Sequence, residues 1–279
     1  MKTKFNRVVV GWINRLFYFF GYTLAKLNEV QNLRALESSN SAQLLSFLRK
    51  FGSNQVGELL EIYPNSKSQL RQDLFVLAVL QFKREGYFVE FGATNGVDLS
   101  NTWLLEKHFG WTGILCEPAR IWHDQLIKNR SGSAIDKSCV WTKSNREILF
   151  NETKTPELST IDEYSKQDGH SHERALGKKY AVSTITLTGL LQAYDAPSYI
   201  DYLSIDTEGS EFAILSAFDF SKYSFGVITC EHNYSPKRDL IHDLLLKHGY
   251  KRVFASISNF DDWYIGPRVS ISHFRSDLT

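Results

Sequence analysis

The stretch GYFVEFGATNGVDLSNT, residues 86–102, opens as a short apolar strand, turns through two glycines and leads into a helical pattern. A turn of this type usually receives a nucleotide, so its glycine spacing is diagnostic. The dinucleotide fingerprint needs glycine at 92, 94 and 97, where the chain has Gly92, Thr94 and Val97. A phosphate-cradling loop needs Gly-Lys-Ser/Thr, where Val97, Asp98 and Leu99 stand. Neither pattern is present, and the turn is left with glycines that admit a ligand closely but no device for binding phosphate.

Outward from that stretch, strand and helix signals alternate. YFVEFG (87–92), GILCEP (113–118), SCVW (138–141), YLSID (202–206) and GVITCEHN (226–233) read as strands. SNTWLLEKHFG (100–110), IWHDQLIKNR (121–130) and SEFAILSAF (210–218) read as helices between them, and TITLTGLLQAY (184–194) resumes the alternation after a polar segment. That segment, 142–181, reads as an irregular lid-like insertion. Ser235 as N-cap, Pro236 as first helical residue and Gly249 beyond the end frame RDLIHDLLLKHG. YKRVFASI and DDWYIGP then form a strand pair with no helix between, in which Trp263 and Tyr264 read as core residues ahead of the alternative, stacking on a sugar face. Residues 34–84 read as helices, the last of them, QLRQDLFVLAVLQFKREG, buried and ending at Gly86. The whole implies an α/β fold: a mostly parallel sheet with helices on both faces and a helical lead-in.

Composition narrows the function. The 279 residues are 43% hydrophobic and 14% aromatic, enough for a sizeable packed core. With 32 basic against 31 acidic residues, no global field draws the chain to nucleic acid. Cys116, Cys139 and Cys230 lie far apart in apolar runs and read as buried free thiols of a reducing cytoplasm, without zinc spacing. RVVVGWINRLFYFFGYTLAKL (7–27) follows Lys2 and Lys4, and Asn14 and Arg15 break it into runs short of the ~20 residues that span a membrane. It reads as an amphipathic helix, either a peripheral attachment to the inner membrane face or a packing element against the main domain or a second copy in a homo-oligomer.

Three strands end in acids: Glu90, Glu117 and Asp206. A carboxylate at the end of the second strand can accept both ribose hydroxyls of an adenosine moiety. An adenosine ligand without phosphate, carrying sulfonium and ammonium charges that favour acids near the turn, is S-adenosyl-L-methionine.

At this point SQLRQDLFV, GYFVEFGATNGVDLSNTWLLEKHFGWTGILCEPAR, TITLTGLL, IDYLSIDTEGSEFAIL and VITCEHNYSPKRDLIHDLLLKHGYKRV together resemble the FkbM-type S-adenosylmethionine-dependent methyltransferases, over residues 66–267. The first 65 residues, an N-terminal helical extension, fall outside the likeness. The resemblance implies a class I (Rossmann-like) methyltransferase domain over 66–279, with seven strands and an antiparallel last one. It implies that Glu90, Gly92, Ala93, Asn95 and Gly96 line the methionine end of the cofactor, with Thr94, Asn101 and Pro118 also among its contacts. Glu117 would hold the ribose, Cys139 and Val140 flank the adenine, and Gln72 and Asp73 close the pocket.

For catalysis, Asp206 ends the fourth strand, and Glu231, His232 and Asn233 end the fifth. The four are expected to converge. In one mechanism His232 is the general base, oriented by Asp206 or Glu231. In another, Asp206 and Glu231 with His232 or Asn233 hold Mg2+ or another divalent cation that acidifies a hydroxyl. The expected acceptor is a sugar hydroxyl in a glycan, lipid-linked precursor or nucleotide sugar. A small-molecule acceptor and a silent cofactor-binding scaffold are the alternatives. His170 and His172 read as solvated loop residues, and Glu208 and Glu211 as acids favoured at a helix start.

Overall fold

The computed structural model describes residues 40–167 and 169–270. The readings made on residues 7–27 lie outside the described residues. The chain divides into two compact units, Met1–Arg49 and Lys50–Thr279; of the first, residues 40–48 are helical.

The second unit begins with helices α1 (Ser53–Ile62) and α2 (Gln72–Val79). All eight residues of α2 are buried, as an all-round apolar helix should be. It stops well before Gly86 because Gln81 and Phe82 turn left-handed, at φ 52° and 54°. There follow β1 (Tyr87–Phe91), α3 (Trp103–Phe109), β2 (Thr112–Cys116), α4 (His123–Asn129) and β3 (Ala134–Asp136). A second group comprises β4 (Cys139–Val140), β5 (Glu147–Glu152), β6 (Thr160–Ile161), the single turn α5 (Ser171–Arg174) and β7 (Lys178–Ile185). The chain then runs through α6 (Leu187–Ala193), β8 (Tyr199–Ile205), α7 (Glu211–Ser216), β9 (Ser224–Glu231), α8 (Lys237–Lys247), β10 (Lys251–Val253) and β11 (Asp261–Ile265).

Among the described residues, seven strands form one sheet in the order β10-β11-β9-β8-β1-β2-β3. β11 alone runs antiparallel to its neighbours, inserted between β9 and β10. This is the class I methyltransferase sheet. Strands β1, β8 and β9 are buried on both faces, Val89, Phe91, Leu203, Ile205, Ile228 and Cys230 on one and Phe88, Tyr202 and Val227 on the other, so their apolar runs are nearly continuous. The strand order reverses between β1 and β8, and the crevice beyond their carboxyl ends is the expected ligand site.

The third strand of the sheet is Ala134–Asp136, not 138–141; it is a three-residue edge strand, too short to show a period. Cys139 and Val140 instead pair with Thr184 and Ile185 of β7 in a second, four-stranded sheet, β4-β7-β5-β6. Segment 142–181 is therefore not irregular: β5 and β7 pair antiparallel from Glu147↔Ser183 to Glu152↔Lys178. Their outer faces are solvated, leaving only Phe150, Val182 and a few others as apolar inward residues. At α8, Pro236 rather than Ser235 occupies the N-cap, while Gly249, at φ +83°, follows the helix end as read. The three cysteines are free and buried, and Trp263 and Tyr264 are core residues.

Candidate active site

Register fixes the layout. Phe91 pairs with Cys116 on one side and with Ile205 on the other, and Ile205 pairs with Cys230. Gly92, Glu117, Asp206 and Glu231, each one residue further along its strand, therefore stand in a row at the carboxyl edge of the sheet. Asp261, opposite Glu231 at the start of β11, extends the row. A cavity of about 560 Å³ opens along it, within the ~300–1,000 Å³ usual for small-ligand sites.

The βα turn after β1 is held from within. Asn95 Oδ1 accepts from the N–H groups of Val97 and Asp98, both at 2.9 Å. Gly96 packs against α4, where a Cβ would lie 2.5 Å from Arg130 Cγ. Ala93, Asn95 and Gly96 shape the turn without lining the cavity, whereas Gly92 and Thr94 do line it. Glu90 lines it too, but its buried carboxylate accepts from Asn101 N at 2.7 Å and Ser100 Oγ at 3.1 Å, with Arg130 Nη1 at 3.8 Å. Burial raises the Glu90 pKa and the Arg130 guanidinium partly offsets that. Glu90 thus ties down the segment that carries Asn101, whose Oδ1 is buried without a hydrogen-bond partner at the cavity wall.

Glu117 accepts from Thr94 N through Oε2 and from Ala119 N through Oε1, both at 2.8 Å. Pro118, Cys139 and Val140 continue the wall, and burial pushes the Cys139 thiol up to about 12, leaving it inert. Gln72 reaches the cavity from α2 and donates to Asp261 Oδ2 at 2.8 Å. Asp73 does not reach it; its Oδ1 accepts from Ser66 Oγ at 2.7 Å and Ser68 Oγ at 2.6 Å, joining 66–68 to α2.

The acids beyond β8 and β9 gather closely: Asp206, Glu208 and Glu231 each offer an oxygen within 4.8 Å of the others. Glu208 Oε2 is taken by Arg174 Nη2 at 2.8 Å and by Asn233 Nδ2 at 3.1 Å. Asp206 and Glu231 share a hydrogen bond, and Glu231 Oε2 is buried without a partner. Burial raises the pKa of both, and Asp206 raises that of Glu231 further still. The pair therefore retains a proton where isolated carboxyls would have lost it.

The four-way convergence does not form. Asp206, Glu231 and Asn233 line the cavity; His232 does not. Its Nδ1 accepts from Tyr234 N at 2.9 Å, its Nε2 lies 3.9 Å from Asp262 Oδ1, and it borders a smaller neighbouring cavity of about 220 Å³. Glu208, read only as a helix-start acid, belongs to the acid cluster, and the turn DTEG (206–209) brings it beside Asp206. Arg174, Phe150, Leu158 and Tyr234 had no local signal. His170 lines the cavity, and Glu211 caps its own turn by accepting from Gly209 N at 2.9 Å.

A family model described as the methyltransferase FkbM domain matches residues 90–252. The chain belongs to that family. Solved structures with similar folds include a precorrin-6y C5,15-methyltransferase from Geobacter metallireducens, 11% identical over 64% of this chain and 72% of that one, TM-score 0.38. Another is a TehB-like S-adenosylmethionine-dependent methyltransferase from Corynebacterium glutamicum, 7% identical over 76% and 96%, TM-score 0.37. Likenesses this distant leave the assignment to the family match and the sheet order. No curated protein matches the chain by sequence.

An FkbM methyltransferase uses S-adenosylmethionine, and the residues present fit it. Glu117 would offer a carboxylate to the ribose, the unpartnered Asn101 Oδ1 an acceptor for an ammonium, and the Asp206–Glu231 pair negative charge for a sulfonium.

Buried as they are, these acids impose a pH dependence on folding. Burial pushes Glu117 up to about 7 from 4.5, so the folded state holds its proton more tightly than the unfolded chain. Its stabilising contribution is full below pH 4.5 and is lost as pH rises through about 7. The ligand-free protein is expected to be less stable at pH 8 than at pH 5, with Glu117 accounting for about 3 kcal/mol. Urea denaturation of wild type and Glu117→Gln at both pH values checks this; an unchanged pH dependence in the variant would refute it.

Proposed function

We propose that the chain is an O-methyltransferase whose acceptor is a sugar hydroxyl, carried on a glycan, a lipid-linked precursor or a nucleotide sugar. The observation that carries this reading is the Asp206–Glu231 pair, with Glu231 Oε2 buried, unpartnered and at the cavity. S-adenosylmethionine supplies an electrophilic methyl group. The protein must then hold a hydroxyl in line and accept its proton as the new C–O bond forms and the methyl–sulfur bond breaks, its electron pair staying on sulfur as the neutral thioether leaves.

Glu231 is the group in place for that. A cationic ligand beside the pair favours loss of the proton that Glu231 shares with Asp206, so binding readies Glu231 to act as base. The near-zero net charge supports a neutral or modestly charged acceptor over a polyanion. A cytoplasmic location at the inner membrane face rests on the sequence of residues 7–27; no described helix is long and apolar enough to cross a membrane. Calorimetry with S-adenosylmethionine, followed by a radiolabelled methyl-transfer screen against nucleotide sugars and methyl glycosides, tests the proposal. Cofactor binding without product on any acceptor would favour a silent scaffold.

A second reading has a divalent cation such as Mg2+ on the acids, favoured by the spacing of Asp206, Glu208 and Glu231, with Asn233 beside them. Arg174 already neutralises Glu208 at 2.8 Å, so we expect transfer to survive EDTA. Loss of activity in EDTA and its recovery with Mg2+ would reverse that expectation.

A further inference from the structure

The turn that follows β9 is built with unusual care. Asn233 and Tyr234 are consecutive non-glycine residues in the left-handed region, at φ 44° and 55°. Such residues persist only where the surroundings over-determine them. Here they do: His232 N and Asn233 N both donate to Phe260 O, at 2.8 and 3.2 Å, and Ser235 N donates to His232 O at 2.7 Å. Tyr234 N donates to His232 Nδ1 at 2.9 Å, an arrangement in which a side chain two residues back stands in for a backbone acceptor. The His232 ring meets the Tyr234 ring edge to face, centroids 5.5 Å apart.

What this holds in place is a large aromatic ring in the open. Tyr234 is 70% exposed yet lines the cavity, three residues beyond Glu231, with Leu99, itself 48% exposed, also among the cavity residues.

We propose that the 232–235 turn is the acceptor-recognition element of the site. Tyr234 offers its ring to the apolar face of a pyranose or furanose, and His232 is the positioning residue that sets the ring rather than the base. An aromatic ring presents an apolar face with a polar tip, the combination a sugar matches through its C–H face and its hydroxyls. This inference rests on the sugar-hydroxyl reading above and assigns the residues that select the sugar.

The test uses the full chain and the methyl glycoside or nucleotide sugar that gives most product in the transfer screen. Tyr234→Ala is expected to raise the acceptor KM about tenfold or more, with the S-adenosylmethionine Kd from calorimetry within about twofold of wild type. Tyr234→Phe, which keeps the ring, should stay within about twofold in KM. His232→Ala should raise the acceptor KM as Tyr234→Ala does, and His232→Asn, whose Oδ1 can accept from the N–H two residues on, should restore it. A kcat lost equally in both His232 variants would make His232 a base and overturn its positioning role. An unchanged acceptor KM in Tyr234→Ala, or an equal rise in the cofactor Kd, would overturn the assignment of Tyr234 while leaving the sugar reading intact. Failure to methylate any sugar would overturn both.

Discussion

Glu231→Gln is expected to lower kcat about 10²–10⁴-fold, the range contributed by a positioned general base. Glutamine keeps the volume of the side chain and can donate its amide hydrogen to Asp206, so the cavity wall survives and only proton acceptance is removed. Binding of S-adenosylmethionine, measured by calorimetry, should change little beside the loss in rate. The pH profile gives a second readout. Burial raises the pKa of both acids, Asp206 to about 6, and the Asp206 charge raises Glu231 further, so kcat/KM should fall toward acid near neutrality rather than at the usual carboxylate range. That limb should disappear in the residual activity of Glu231→Gln. A variant with wild-type kcat would remove Glu231 from the chemistry.

Gly92→Ala is expected to destabilise the fold by about 3–5 kcal/mol, combining a left-handed backbone with overpacking. Gly92 has φ +71°, and a Cβ there would sit 2.0 Å from the carbonyl oxygen of Asp206. Neither side can give way easily: Gly92 N donates to Cys116 O at 3.1 Å, and Asp206 follows directly on a strand paired on both edges. Gly57→Ala is the natural control, since nothing lies within 4 Å of its Cβ position in helix α1, and there alanine should stabilise by about 0.5–1 kcal/mol. Urea midpoints of the two variants decide the matter; equal stability in Gly92→Ala and wild type would show that the strand ends yield.

Gly92 also marks the limit of reading this site from sequence. Its presence after the strand is legible, and so is the row of Glu117, Asp206 and Glu231, because parallel strands of similar length bring their last residues to one edge. Its reason is not legible: the sequence suggests room for a ligand, whereas the close neighbour is the backbone of β8. His232 is a different case. Successive strand residues face opposite sides, so if Glu231 looks into the cavity the next residue is set to look away, and the alternation that identified the strand already argued against both converging. Arg174, which meets Glu208 from 34 residues earlier, leaves no trace in any local pattern. The strands of 147–185 were obscured by having one face in water, which dilutes the apolar alternation from which strands are read.

That second sheet divides the cavity between two sources. Glu90, Glu117, Asp206 and Glu231 line it from the carboxyl edge of the seven-stranded sheet, while Phe150, Pro156, Leu158 and Ile161 come from the segment between β4 and β7. Since β4 and β7 lie side by side in parallel register, Cys139 beside Thr184 and Val140 beside Ile185, that segment leaves and rejoins the scaffold at nearly the same place. One wall of the chamber is thus a single excursion of the chain, residues 141–183, stitched back to the acids of the larger sheet by Arg174 on Glu208 and by Thr160 on the carbonyls of Thr207 and Glu208.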